Sequence, residues 1–280
     1  MKFTRILKFE LLKTFSRLRT YIGFITIAIL LPVVMGLVNE FGFNVPNRFL
    51  TDLTSSFQFT GSIVNGYLIS YYLMTILWVH FPFFIILVAG DIVSTESANG
   101  TFRMLMTRPI SRSAVILAKY VTTICYTILI ISFLGLFSIV IGKIILGGGD
   151  LLVFDKGLLI LTEKEAVSRF ILAYLLAIWV QIVVASLAFF FSTLAKSSVA
   201  PIIGTYAVVI SSIIISVLKI DALDVIKPYL FTTYFDIFFA PFRQPIPFDK
   251  IINNCLRLGA FSLIFFIMSY INFIRKDICT

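Results

Sequence analysis

The chain has 280 residues, of which 59% are hydrophobic and only 13% are charged, and its mean hydropathy is +1.03. These values exclude an ordinary soluble domain, in which about 25% of the residues are charged. The net charge of +9 does not indicate nucleic-acid binding, because the basic residues are interleaved with long apolar runs. Each run has about 20 residues, the length that crosses roughly 30 Å of hydrocarbon. The sequence therefore predicts an all-α membrane protein that forms a single domain over residues 1–280.

Residues 1–19 are predicted to form an amphipathic elbow helix that lies along the membrane surface. The apolar side of its helical wheel carries Phe3, Ile6, Leu7, Leu11, Phe15 and Leu18, and the other side carries Lys2, Arg5, Lys8 and Lys13. Glu10 falls among the apolar residues. Two interpretations stay open for it: an exposed carboxylate at the margin of the apolar side, or a contact with a nearby basic residue.

Six membrane-spanning helices are expected after the elbow helix. They are predicted at residues 20–38, 67–89, 114–141, 170–194, 199–218 and 256–274. Basic residues are denser in the segments that share a side with the N-terminus, and Lys119 is counted among them. The positive-inside rule therefore predicts that both termini are cytoplasmic.

The longer loops on the outer side are predicted to be partly ordered. Leu151–Leu161 favours a small hairpin, and Thr162 followed by Glu165 is typical of a capping box that opens the fourth span. Residues 219–253 are interrupted by prolines and rich in aromatic residues. They are expected to form a re-entrant loop of short helices in the outer leaflet.

The fifth span carries a stripe of small residues. Ala200, Gly204, Ala207 and Ser211 share one side of the helix, a spacing that lets helices pack closely in lipid. Packing within the same chain explains the stripe equally well.

Residue types that carry chemistry are scarce. No Asp or Glu lies deep within a predicted span, which disfavours a proton- or ion-coupled carrier. The chain has no G-x-x-x-x-G-K-[ST] phosphate loop, so any energy from ATP must come from another subunit. With one histidine and no Ser-His-Asp or metal-ligand set, no catalytic residue and no metal site are predicted.

Two polar residues inside the predicted spans have more than one interpretation. His80 favours a hydrogen-bonded packing residue, with a role in substrate binding or gating as the alternative. Gln181 favours a hydrogen bond to a neighbouring helix.

Residues 90–113 form a polar segment between the second and third predicted spans. The segment contains Glu96, then Gly100-Thr101, then Met104-Leu105-Met106, and then the run from Arg108-Pro109 to Arg112. It resembles the corresponding segment of the type-2 ABC permease family, the six-span membrane subunits of exporters. That family has a glutamate and Gly-Thr after its second span, then a leucine-rich turn and Arg-Pro-x-x-Arg. Glu10, Arg17 and Arg19 near the N-terminus, and Phe273–Asp277 near the C-terminus, resemble the ends of its members.

The resemblance implies a complex of two permease subunits and two cytoplasmic ATPase subunits, in a bacterial or archaeal cell membrane. The second permease subunit would be another copy of this chain or a homologous permease. ATP and Mg²⁺ would bind to the ATPase subunits, and this chain would hold no cofactor. Residues 91–106 would form a coupling helix that docks on the ATPase. The residues expected to couple are Asp91, Glu96, Gly100, Thr101, Arg103, Arg108, Pro109 and Arg112, and those expected to make elbow contacts are Glu10, Arg17 and Arg19.

The expected function is therefore the export of an amphipathic, peptide or lipid-like substrate along a path between the second and fifth spans of two subunits. The candidate pathway residues are Tyr71, Met74, Thr75, Trp78, His80, Gln181 and Ser211. The alternative is an ATPase-coupled force-transmitting or assembly subunit that moves no cargo and acts on an outer partner through residues 219–253.

Overall fold

The computed structural model of the chain is predominantly helical. It describes residues 3–42, 64–100, 111–154, 158–218 and 220–275. Within these ranges, six helices are long and apolar enough to cross a membrane. The structure thus confirms the predicted helical membrane architecture.

The elements follow the chain in a simple order. The helices are α1 (Phe3–Phe15), α2 (Leu18–Phe41), α3 (Gly66–Leu77), α4 (Phe81–Ala89), α5 (Asp91–Ala98), α6 (Arg112–Leu146), α7 (Glu163–Leu194), α8 (Ala200–Val217) and α9 (Phe248–Arg275). Strands β1 (Leu151–Phe154) and β2 (Leu158–Leu161) lie between α6 and α7. The 3₁₀ segments Asp221–Leu223, Lys227–Tyr229 and Phe231–Phe242 lie between α8 and α9.

Helix α7 lies at the centre of the bundle. It packs against α4, α6, α8 and α9 and against the 3₁₀ segment Phe231–Phe242. From Val180 to Thr193 every residue is buried or half-buried, whereas Ile171, Leu175 and Trp179 form an exposed stripe along the first half of the helix. By contrast, α2, α8 and α9 leave most of their apolar surface exposed, as expected for helices at the edge of a membrane bundle.

The predicted second span at residues 67–89 is wrong as a single helix. Helix α3 ends at Leu77, a turn follows, and α4 begins at Phe81. Pro82 explains the break because it has no N–H to donate to the carbonyl of Trp78, whereas proline is tolerated in the first turn of a new helix. Helix α4 then continues through Gly90 into α5, so Phe81–Ala98 forms one span-length unit. The polar segment therefore begins as an extension of a membrane helix.

Several helices are longer than the membrane spans predicted for them. Helix α7 starts at Glu163 rather than residue 170, and α9 starts at Phe248 rather than residue 256. The apolar run marks only the part of a helix that suits hydrocarbon, whereas the helix itself starts where its N–H groups are capped. For α7 the predicted capping box is confirmed, because the Glu165 carboxylate accepts from the backbone N–H of Thr162 at 3.0 Å. Helices α2 and α6 also extend beyond both predicted ends.

The predicted hairpin is confirmed, and it qualifies the all-α fold class. Strands β1 and β2 pair antiparallel, with Leu151 opposite Leu161. The end of the bundle beside them is called the hairpin end, and the opposite end, which carries α1 and α5, is called the α1 end. At the hairpin end α3 and α6 cross so closely that a Cβ on Gly66 would lie 2.2 Å from the carbonyl carbon of Gly142.

The segment predicted as a re-entrant loop folds back onto the bundle. Phe231–Phe242 is largely buried against α7 and α9. Arg169 of α7 holds its end, since Nη1 donates to the carbonyl oxygens of Pro241 at 2.6 Å and Arg243 at 3.1 Å. The predicted loop bound of residue 253 is wrong because α9 already begins at Phe248. The depth of this segment in a bilayer stays a prediction.

Most of the small-residue stripe of the fifth span is exposed in the part of the chain that the structure describes. Helix α8 buries Pro201, Thr205, Val209 and Ser212, a different side of the helix. Ala200, Ala207 and Ser211 are exposed. Gly204 is half-buried beside Phe191 of α7, so among the described residues intrachain packing accounts for one of the four positions. Close packing of the stripe against another helix stays a prediction.

Candidate functional site

Helix α1 packs on α6 through a side that contains a carboxylate. Its buried residues are Ile6, Glu10 and Thr14, whereas Phe3 and Leu18 from the predicted apolar side are exposed. The reason for this rotation is Lys119 of α6, whose Nζ lies 2.8 Å from Oε2 of Glu10. Of the two interpretations left open for Glu10, the structure shows the contact with a basic residue, and that residue belongs to the same chain.

Lys119 also joins α6 to α5. Its Nζ lies 2.5 Å from Oε1 of Glu96, and Lys13 of α1 donates to the same oxygen. The side chain of Lys119 is 0% exposed, and those of Glu10 and Glu96 are 3% and 4% exposed. Glu10, Lys13, Glu96 and Lys119 are called the ionic quartet. Its two cations and two carboxylates balance, as they must, because an unpaired charge in such a position is costly.

A second group of charges lies beside the quartet. Arg17 Nη1 lies 2.7 Å from Oδ2 of Asp91, and Arg19 Nη1 lies 2.6 Å from Oδ1. The Thr95 hydroxyl also donates to Asp91. Arg17, Arg19 and Asp91 are called the arginine triplet. They line a cleft, the arginine cleft, whose other lining residues are Thr14, Thr20, Val88 and Ile92.

Helix α5 is attached to α7 as well. The Ser192 hydroxyl of α7 accepts from the backbone N–H groups of Val93 at 3.1 Å and Ser94 at 3.0 Å. The Ser94 hydroxyl donates to the carbonyl of Gly90 at 2.7 Å. Together with the quartet and the triplet, these bonds fix α5 to α1, α6 and α7 and to the α1–α2 junction.

The predicted coupling residues do not form one exposed surface. The side chains of Asp91 and Glu96 are buried against the chain's own helices, and Glu96 pairs with Lys13 of α1 and Lys119 of α6. Arg112 Nη1 donates to the carbonyl of Ile274 at the end of α9, at 3.0 Å. Gly100 is exposed and has φ +66°, the left-handed conformation that favours glycine in a tight turn. Thr101, Arg103, Arg108 and Pro109 lie outside the described residues.

The candidate pathway residues lie on α3 and the turn after it, on α7 and on α8. Met74 and Gln181 are buried, Tyr71 and Trp78 are half-buried, and Thr75, His80 and Ser211 are exposed. The rings of Tyr71 and Trp78 pack on Phe242 and Phe238 of the 3₁₀ segment rather than facing an open path. Within one copy of the chain, Tyr71, Met74, Thr75 and Trp78 lie together on α3 and its C-cap, whereas Gln181 lies on α7 and Ser211 on α8.

The two polar residues inside the predicted spans, Gln181 and His80, have different outcomes. The predicted interhelical hydrogen bond of Gln181 is wrong, because its buried amide nitrogen and oxygen have no hydrogen-bond partner among the described residues. His80 is exposed, and its Nδ1 lies 3.3 Å from the carbonyl oxygen of Ile76.

Sequence reasoning missed the central cation of the site. The positive-inside count places Lys119 among the basic residues of the cytoplasmic side and assigns it no partner. Its position five residues inside an apolar run was a usable signal, since a charge within a span is expected to have a partner. A triangle of hydroxyls was also missed: Tyr120, Ser186 and Ser262 lie 2.8 to 3.2 Å apart and join α6, α7 and α9.

The comparisons with known proteins cover most of the chain. Residues 24–279 match the family model described as "Protein of unknown function (DUF2705)". The match begins after α1, so it includes Asp91, Glu96 and Lys119 but not their partners before residue 24. A relative from Bacillus subtilis (strain 168), "Uncharacterized protein YhcI", is 31% identical over 121 residues. That alignment covers 41% of this chain and 38% of the relative's length. Because the family model covers far more than half of it, the chain belongs to the family described as "Protein of unknown function (DUF2705)".

Proposed function

We propose that the chain is the membrane subunit of an ATP-driven exporter of the type-2 ABC permease kind, moved by separate ATPase subunits. The observation that carries the proposal is the attachment of the polar segment that follows the second span. Helix α5 continues from α4 and is ion-paired to α1 and α6. A permease without its own ATPase site needs a stiff connection between the surface that binds the ATPase and the membrane helices that move.

The energetics of the connection favour force transmission. Separating a buried ion pair costs about 3–5 kcal/mol, because it leaves an uncompensated charge away from water. Lys119 makes two such pairs, so a displacement of α5 is passed to α1 and α6 before the contacts break. A loop tethered only by surface charges would absorb the same displacement, since exposed pairs contribute little.

The proposal assigns different tasks to the two parts of the coupling segment. Helix α5 serves as its anchored part and α1 as the elbow helix that braces it. Asp91 and Glu96 hold the anchor together. The contact with the ATPase is assigned to the part after Ala98, which starts at Gly100 and continues through Thr101, Arg103 and Arg108. Two copies of the chain would complete the transporter, and its substrate would be amphipathic, peptide or lipid-like.

The test is reconstitution of the full chain in sealed vesicles with an ATPase subunit of its host that carries a phosphate loop. We expect a complex whose ATP hydrolysis exceeds that of the ATPase alone and drives one-way movement of an amphipathic peptide or a labelled lipid. Failure of the two subunits to assemble would contradict the proposal. Hydrolysis that responds only to a protein on the opposite side of the membrane would instead favour the force-transmitting or assembly subunit.

A further inference from the structure

We infer that the arginine cleft binds the phosphate group of a membrane lipid. The cleft lies at the α1 end, between the α1–α2 junction and helices α4 and α5. The inference rests on the charge, the exposure and the position of Arg17 and Arg19. It does not depend on the proposed function, and it is tested without an ATPase.

Within the described ranges of the chain, the arginine cleft has more cations than carboxylates. The ionic quartet has two cations and two carboxylates, whereas the arginine triplet has two guanidinium groups and one carboxylate. Each guanidinium reaches Asp91 through Nη1 and carries five N–H donors in all. Among the described residues, one carboxylate therefore serves two arginines, and donors remain for a second anion.

The excess charge is accessible, as is Lys13 of the ionic quartet, whose side chain is 31% exposed. The side chains of Arg17 and Arg19 are 28% and 42% exposed, whereas Lys119 is fully buried. A ligand can therefore approach the arginines without separating the ionic quartet.

The position of the arginines matches the depth of lipid phosphates. They flank Leu18, the first residue of the span-length helix α2, and basic residues at the end of a span lie at the headgroup level. Leu18, Ile22 and Ile25 begin an exposed apolar stripe on α2. Ile22 lies one turn after Arg19, so the acyl chains of a lipid held at the arginines would run along this stripe.

The chemistry that the cleft recognises is a phosphate with an uncompensated negative charge, for which two guanidinium forks are well suited. A phospholipid or free inorganic phosphate can supply this group. The apolar stripe beside the arginines favours the lipid, because it offers contact area that inorganic phosphate cannot use.

The experiment measures lipid binding to the purified full chain in detergent by native mass spectrometry. The probe is phosphatidylglycerol, and diacylglycerol with the same acyl chains is the control without phosphate. The variant Arg17→Gln/Arg19→Gln is expected to lower the affinity for phosphatidylglycerol at least about tenfold, since each basic residue near the membrane surface contributes several-fold. Arg5→Gln/Lys8→Gln removes the same charge from the exposed side of α1 and should change the affinity by less than about threefold.

A variant that is expected to raise the affinity, rather than lower it, separates lipid binding from a merely structural role of the arginines. Asp91→Asn removes the competing carboxylate, so it is expected to raise the affinity for phosphatidylglycerol, by about fivefold. Weaker binding in Asp91→Asn, or equal losses in the two double variants, would overturn the inference. Complete displacement of the lipid by millimolar inorganic phosphate would overturn the lipid assignment. If Arg17→Gln/Arg19→Gln does not fold, Arg19→Gln alone keeps the Arg17–Asp91 pair and should show about fivefold weaker binding, which exceeds the change allowed for the control.

Discussion

Lys119 is the residue on which the α1 end depends most. Its ammonium group lies between Glu10 and Glu96, which are 109 and 23 positions away in the sequence. Removing the cation leaves Glu10 without its ion-pair partner, whereas Glu96 keeps Lys13. The energetic consequence is therefore concentrated on one pair, which makes it measurable.

The variant Lys119→Met is expected to lower the free energy of unfolding by about 3–5 kcal/mol, because Glu10 becomes a buried unpaired charge. The double variant Glu10→Gln/Lys119→Met should recover part of this loss, since it removes the unpaired charge. Tryptophan fluorescence during thermal unfolding in detergent measures both. Lys143→Met, which breaks the exposed pair with Glu163 at the hairpin end, is the control and should change stability far less. Equal losses in the single and double variants would refute the charge argument.

At the scale of elements, the crossing of α3 and α6 depends on two glycines whose backbones touch. We expect Gly66→Ala to destabilise the hairpin end strongly, because its Cβ would lie 2.2 Å from backbone atoms that cannot move independently. Gly36→Ala in α2 is the matched control: its Cβ would meet nothing within 4 Å. It should be neutral or stabilising by up to about 1 kcal/mol, since alanine is the better helix former. Thermal unfolding compares the two, and similar behaviour would argue against a tight crossing.

The turn after α5 is the element that tests coupling. Gly100→Pro is incompatible with φ +66° and also removes the N–H that donates to the Ser97 carbonyl at 3.4 Å. We expect it to uncouple ATP hydrolysis from transport in the reconstituted complex while membrane insertion stays intact. Gly100→Asn is the control, because asparagine tolerates the left-handed conformation and should keep most of the coupling. Undiminished transport in Gly100→Pro would count against the assigned coupling segment.

Glu96→Ala is a less specific test of coupling than Gly100→Pro. It removes a carboxylate shared by Lys13 and Lys119, so it weakens the attachment of α1 to α5 and α6 as well. A loss of transport in that variant has to be compared with its loss of stability.

At the scale of the whole molecule, the orientation in the membrane follows from charge. The positive-inside rule predicts that the α1 end faces the cytoplasm and the hairpin end faces outward. In a background without Cys125, Cys255 and Cys279, Tyr229→Cys should react with a membrane-impermeant thiol reagent in intact cells, because Tyr229 is 77% exposed. Lys8→Cys, also at an exposed position, should react only after permeabilisation. The reverse pattern would invert the topology and contradict the proposed function.

Much of the architecture could be predicted from the sequence because it depends on local patterns. Apolar runs identify the span-length helices, and Thr162 with Glu165 identifies the start of α7. Pro82 indicates the break after α3. A hydropathy average over about 20 residues does not detect it, because one proline changes the average little. The side of α1 that faces the bundle could not be predicted, because it is determined by a pairing between Glu10 and a lysine 109 residues later.

The central position of α7 has a consequence for how the chain is made. Helix α7 leaves the ribosome before α8 and α9, yet it packs more extensively on α9 than on any other element. Until the last span-length helix, Phe248–Arg275, has inserted, the flank of α7 that α9 will cover has only lipid beside it. Folding of the bundle is therefore completed late. A chain truncated before residue 248 would lack α9 and leave the side of α7 that packs on it uncovered.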